Sequence, residues 1–165
     1  MIITKAEIKD ICDIMYMVND AKAFLKSQGV NQWQDGYPNE ESFENDIKEN
    51  RLYVVKEGDL VLGVFALVDY EQTYDVIYEG TWSKDLPYIA AHRICVNPDY
   101  KGKGVARFIF DELKKKYSYI RVDTHRHNVN MNKCLINNGF SKRGSIYLNS
   151  ESDNHRVAYD FYHDN

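Results

Sequence analysis

Residues 93–106 read RICVNPDYKGKGVA and carry three structural signals in order. An apolar strand pattern ends at Asn97-Pro98, because proline has no N–H to give to a strand ladder. A loop with two glycines follows, and a helical pattern opens at Val105. Gly102 and Gly104 let the backbone take conformations that a β-carbon hinders. The first N–H groups of a helix lack partners inside it and converge with the positive end of the helix dipole. Successive amides can bracket a pyrophosphate as a nest, and Lys101 and Lys103 add positive charge. The segment is a candidate anion site at a helix start. It is not a Walker loop, which needs Lys-Ser/Thr after its last glycine where this chain has Val105-Ala106. Nor is it a dinucleotide fingerprint, whose third small residue would fall on Arg107.

The flanks define the fold class. Upstream, residues 88–96 read as a strand, and 52–56 and 60–70 as a hairpin joined across Glu57-Gly58-Asp59. Ile8, Ile11, Met15, Val18, Ala21 and Leu25 fall at helical spacing and predict a helix ending at Gly29. Residues 2–4 form a short strand before it. A loop over 30–40 (VNQWQDGYPNE) precedes a short helix over 41–50, and 71–86 is a loop with strand at 76–78. Downstream, 105–117 is a helix whose last turn, Lys114-Lys115-Lys116, opposes the negative end of its dipole. Then come a strand (119–124), a helix (130–138) closed by Gly139, and strands 140–148 and 155–162 around a turn at 149–154. The order is βααβββαβαββ. The unit from Tyr88 to Thr124 requires a parallel crossover, while the hairpins are antiparallel. This is an α/β chain with a mixed sheet and helices on its faces. At 165 residues and with no linker-like stretch, it is expected to be one domain over 1–165.

Bulk properties exclude several functions. The chain is 44% hydrophobic and 28% charged, the balance of a globular protein rather than a disordered one. Its net charge of −4 lacks the basic excess of a general nucleic-acid binder. The longest apolar run, 60–68, is about half of what a bilayer span requires. Cys12, Cys95 and Cys134 are odd in number and form no C-x-x-C pair, so neither a disulfide framework nor a zinc site is expected. His125 and His127 form an H-x-H without a third ligand nearby, and no metal is expected. The charged N-terminus MIITKAEIKD is not a signal peptide. A reducing, cytoplasmic setting follows.

Residues 101–106, KGKGVA, resemble the acetyl-CoA signature Q/R-x-x-G-x-G/A of the GNAT superfamily of N-acetyltransferases, with Lys101 in the first position. Ile94-Cys95-Val96-Asn97-Pro98 resembles that family's fourth strand. Asn128, Met131, Leu135, Gly139 and Phe140 fall at the spacing of its N-x-x-A/M-x(3)-Y-x(3)-G-F stretch. The resemblance implies a mostly antiparallel central sheet with one parallel, splayed strand pair. It implies acetyl-CoA as cosubstrate and an amine acceptor, joined by direct attack through a tetrahedral intermediate. The main chain of Ile94–Val96, Cys95 included, would hold the pantetheine arm. Amides of Lys101, Gly102, Lys103, Gly104, Val105 and Ala106 would hold the pyrophosphate, and the Asn128 side chain would reach the cofactor arm or cap its helix. A homodimer is compatible with this reading; nucleic acid and membrane are not expected partners.

The family often places a tyrosine acid at the position that Leu135 occupies here. A thiol with a reference pKa of about 8.5 leaves as thiolate at pH 7 for only ~2 kcal/mol, so that loss is mild. Cys134 lies about 100° away around the helix and is not a convincing substitute. A lysine-like amine costs ~4.6 kcal/mol to neutralise at pH 7, so a base or water chain is needed. His92, on the strand that should hold the thioester, is the first candidate base, and Glu79 the second. Strand alternation groups His92 with Ala90 and Ile94, and Arg93 with Ala91 and Cys95. Arg93 is expected to bind an acidic group of the acceptor or to be structural. Trp33, Tyr37, Tyr78 and Trp82 would wall the acceptor pocket or serve as ordinary cover. The alternative class is a non-catalytic acyl-CoA-binding sensor or scaffold.

Overall fold

A computed structural model describes residues 1–149 and 152–164. Strand β1 (Ile2–Lys5) leads through a 3-10 turn at Ile8–Asp10 into helices α1 (Ile11–Ser27) and α2 (Glu40–Lys48). Strands β2 (Leu52–Glu57), β3 (Leu60–Val68) and β4 (Ile89–Val96) follow. Helix α3 (Val105–Lys116), strand β5 (Tyr119–His125), helix α4 (Val129–Asn137) and strands β6 (Ser141–Tyr147) and β7 (His155–Tyr162) complete it. This is the order expected from the patterning. Part of the expected turn at 149–154 lies outside the described residues.

Local chemistry accounts for the element ends. The first turn before α1 is 3-10, held by Asp10, whose carboxylate accepts from the Glu7 amide at 2.8 Å. α1 stops where Gly29 turns left-handed at φ 70° and Val30 N–H closes on Leu25 O at 2.9 Å. α2 starts on a reciprocal cap between Asn39 and Ser42. The strand expected at 76–78 is reduced to one bridge, Tyr78 with Ser145. The reason is close backbone packing rather than a ladder: a β-carbon on Gly80 would lie 1.8 Å from Arg143 O.

The strands form one sheet in the order β1-β2-β3-β4-β5-β7-β6. Every pairing is antiparallel except β4 with β5. α3 and α4 cover one face, where Ile109, Phe110, Leu113, Leu135 and Phe140 meet Phe65, Ala91 and Val122. α1 and α2 cover the other, where Ile14, Met17, Val18 and Phe43 meet Val54, Val64 and Ala66. Each such large side chain contributes roughly 1.5–3 kcal/mol by burial.

Two irregularities of β4 matter for function. The parallel pair is registered at only Ile89↔Ile120 and Ala90↔Arg121, after which β4 and β5 diverge. On the other edge, Ala66 pairs with His92 and Val64 with Cys95, so β4 carries one extra residue there. Arg93 sits in this bulge at φ 53°. The bulge corrects the simple alternation. Ala91, Ile94 and Val96 face α3, whereas Cys95 packs among the residues under α1. His92 and Arg93 both face the α1 and α2 side, where His92 meets Tyr74 and Arg93 meets Asp46. An inserted residue shifts the two-residue period by one, and no sequence pattern here announces it.

Candidate functional site

The bulge is held from outside the sheet. Asp46 of α2 is buried, and its carboxylate accepts from Arg93 Nε at 2.7 Å and Nη2 at 2.9 Å. Arg51 Nε adds a third bond to it at 2.6 Å. Arg93 Nη1 donates to Tyr37 Oη at 2.6 Å. A left-handed non-glycine residue costs of order 1–3 kcal/mol and persists when its surroundings over-determine it. The forked pairing with Asp46 does so here. Arg93 is therefore a pin for the bulge as well as part of a wall.

Where β4 and β5 diverge, a cleft of about 780 Å³ runs through the sheet. Trp33, Tyr37, His92, Arg93, Ile94, Cys95, Val96, Lys101, Ala106 and Asn128 are among the residues that line it. A second groove, about 840 Å³, runs between α3 and α4 and shares Val96, Lys101, Ala106 and Cys134 with the first. Gly102, Gly104 and Val105 line that groove. Gly102 and Gly104 take φ 75° and 81°, the conformations glycine permits at low cost. The amides of Val105, Ala106 and Arg107 lie ahead of the first long helical bond, Phe108 N–H to Gly104 O at 2.9 Å. Arg107 and Lys133 also line the groove, so an anion there meets amides without helical partners, the helix dipole and two cationic side chains.

Other expected residues stand apart. Lys103 lies over the Tyr100 ring, its Nζ 5.3 Å from the centroid, and lines neither cavity. Cys95 lines the cleft, but its thiol turns to the α1 side and donates to Met17 O at 3.3 Å, and burial pushes it up to about 12. Glu79 accepts from Ser145 Oγ at 3.3 Å beside β6, and Tyr78 packs edge-on against Tyr147; neither lines the cleft. Trp82 donates to Tyr74 O at 2.9 Å and stacks on Arg121, also away from the cleft. The 71–86 segment divides: Glu71, Gln72 and Thr73 line the cleft, whereas Tyr78, Gly80 and Ser83 run alongside β6 and β7 instead of over the splay.

Electrostatics centre on His92. Burial, opposed by Glu71 and aided by Arg93, lowers its imidazole to about 4, so it is neutral at neutral pH. Its Nε2 is buried and has no hydrogen-bond partner among the described residues. Its Nδ1 lies 3.9 Å from Asp123 Oδ2, beyond hydrogen-bond range. Asp123 instead accepts from Tyr74 Oη at 2.6 Å, and burial raises its carboxyl above the ordinary range. Glu71 also lines the cleft. On the neighbouring strand, Thr124 Oγ1 is the other buried polar side-chain atom without a partner among the described residues. Thr124 also lines the cleft.

Asn128 serves two neighbours at once. Its Oδ1 caps α4 by accepting from Met131 N–H at 3.2 Å, and its Nδ2 donates to Gln32 Oε1 at 2.9 Å in the α1–α2 loop. Leu135 is wholly buried in the core with Phe110 and Phe140 and does not line the cleft. Cys134 lines both cavities, and burial raises its thiol. His125 has both ring nitrogens engaged, with Asp153 at 2.7 Å and with His127 N–H at 3.1 Å. Sequence reasoning missed Glu71, Tyr74, Asp123, Thr124 and Arg107. Asp123 and Thr124 end the strand paired in parallel with β4, the one signal that could have found them.

Comparison with known proteins places this architecture. A family model described as an acetyltransferase (GNAT) domain matches residues 22–144. No protein of curated function matches the sequence. A GNAT-family acetyltransferase of Streptococcus agalactiae is 32% identical, with 99% of this chain and 96% of that one covered and a TM-score of 0.90. Two more distant structures share the fold. The ribosomal-protein-S18-alanine N-acetyltransferase of Escherichia coli is 13% identical, at TM-score 0.61 over 98% of this chain and 92% of its own. Salmonella typhimurium YncA, solved with its cofactor acetyl-CoA, is 15% identical, at TM-score 0.63 over 99% and 94%.

Proposed function

This chain belongs to the GNAT acetyltransferase family, and on that premise we propose that it moves an acetyl group from acetyl-CoA to a primary amine of a small molecule or peptide. The observation that carries the reading is the course of the cavities: a groove at the start of α3 continues into a cleft that crosses the sheet beside the β4 bulge. A long, thin, polyanionic donor fits that path, and YncA, which shares the fold, was solved with acetyl-CoA.

The residues present fit the donor. Amides and glycines over 102–106, with Arg107 and Lys133, would hold the pyrophosphate. The main chain of Ile94–Val96, left unpaired toward β5 by the splay, would hydrogen-bond the pantetheine arm and polarise the thioester carbonyl. The acceptor would enter from the side of Trp33 and Tyr37. The amine nitrogen attacks the carbonyl carbon, and as the C–N bond forms its proton becomes acidic. His92 Nε2, neutral and unpartnered among the described residues, would take that proton, with Glu71 favouring the resulting charge. Collapse of the tetrahedral intermediate breaks the C–S bond and releases the thiol.

Free-thiol release from acetyl-CoA, measured across a panel of amines, tests this. Turnover with at least one primary amine, reduced in His92→Gln, is expected. Tight acetyl-CoA binding with no turnover on any amine would instead favour a sensor or scaffold module.

A further inference from the structure

The donor's leaving sulfur lacks a proton source at the position of Leu135, whose side chain is core. Thr124 answers that deficit from a different element. Its side chain is 1% exposed, its Oγ1 has no hydrogen-bond partner among the described residues, and it lines the cleft. A buried, unsatisfied hydroxyl costs stability, and such groups in native folds call for an explanation. Its place in the fold supplies one. On β5, Ile120 and Val122 pack with the α3 and α4 core, and Thr124 follows them on that face by the two-residue period. Counting from the last parallel pair, Ala90↔Arg121, Thr124 stands level with Arg93, across the open splay from the bulge. His92 Nε2, the other unpartnered atom, belongs to the opposite face, toward Tyr74. The two orphaned groups belong to opposite faces of the sheet, on two residues that both line the cleft.

Resting on the acetyl-transfer reading, we propose that the Thr124 hydroxyl donates a hydrogen bond to the departing sulfur, in the place of a tyrosine acid on α4. The amine nitrogen forms the C–N bond, the C–S bond breaks, and sulfur leaves with the electron pair as thiolate. Thr124 keeps its proton and shares it with that thiolate. The proton lost by the amine, carried by His92 and then solvent, finally neutralises the sulfur, so amide and free thiol are the products. The same hydroxyl satisfies its own hydrogen-bonding capacity only when sulfur is present.

The test uses Thr124→Val, which keeps the shape, and Thr124→Ser, which keeps the hydroxyl. CoA binding is measured by calorimetry, and the bound thiol is titrated by its thiolate absorbance. In the wild type the bound thiol should titrate about one unit lower than in Thr124→Val. kcat should fall by about tenfold to a hundredfold in Thr124→Val, the factor carried by a hydrogen bond to a charged atom, with little change in KM for acetyl-CoA. Thr124→Ser should restore both. Without ligand, Thr124→Val should melt no lower than the wild type, since an unsatisfied hydroxyl is removed. Equal thiol titration and equal kcat in wild type and Thr124→Val, with CoA bound by both, would overturn this role alone. Failure of the wild type to bind CoA would overturn the acetyl-transfer reading, and this role with it.

Discussion

At the scale of single residues, His92 shows how burial sets chemistry. An imidazole on an exposed strand would be half protonated near 6.5; enclosed beside Tyr74, it holds no proton until about 4. Between about pH 4 and 6.5 the unfolded chain therefore binds a proton that the folded chain refuses. Its effect on stability vanishes above that window and grows unfavourable as pH falls through it. The unfolding free energy of the wild type should thus fall more steeply on acidification from 6.5 to 4 than that of His92→Gln. Urea titrations at several pH values check this, and parallel curves would show that His92 titrates as an ordinary exposed histidine. Strand alternation groups His92 with Ala90, and both do meet Tyr74. Its separation from Ile94 was not legible, because the bulge at Arg93 reverses the alternation just beyond His92.

At the scale of elements, the loop before α3 is the anion site we propose, built from backbone geometry. Gly104 is the N-cap at φ 81° with no side-chain cap, so its own residue leaves the amides that follow uncapped. A β-carbon at Gly104 would meet nothing within 4 Å, so steric clash is not the constraint. The constraints are the left-handed backbone and charge. Gly104→Asp should lower CoA affinity by at least about tenfold, placing a carboxylate beside phosphates at the helix start. Gly104→Asn, which tolerates that backbone and adds no charge, should lose much less. Calorimetric Kd values for the two variants separate the causes, and equal losses would point to backbone strain instead. This element was the most legible in the chain, because glycine spacing, helix dipole and unpaired amides are all local. Residues 71–86 were the least legible. Tyr78 pairs with β6, Ser83 bonds to Asp160 of β7 and Trp82 stacks on Arg121, partners distant in sequence.

At the scale of the whole molecule, the cleft depends on a contact between layers. Asp46 joins α2 to the β4 bulge, and one carboxylate serves Arg51 and Arg93 together. Removing it leaves two guanidiniums without that partner, one of them largely buried. Asp46→Ala should cost about 3–5 kcal/mol of stability, against at most about 1 kcal/mol for an exposed pair. The urea midpoint measures this, and a loss within the exposed-pair range would show that the bulge holds itself. Element order, the parallel β4–β5 unit and the glycine turn into α3 were determined by the sequence alone, because each rests on periodicity or on glycine and proline acting within a few residues. Only the tertiary structure decided which side chains reach the cleft. The β4 bulge, the splay beyond Ala90, the Asp46 pin and the unpartnered Thr124 hydroxyl all arise from pairing between segments far apart in the chain, and spacing along one strand does not record such pairings.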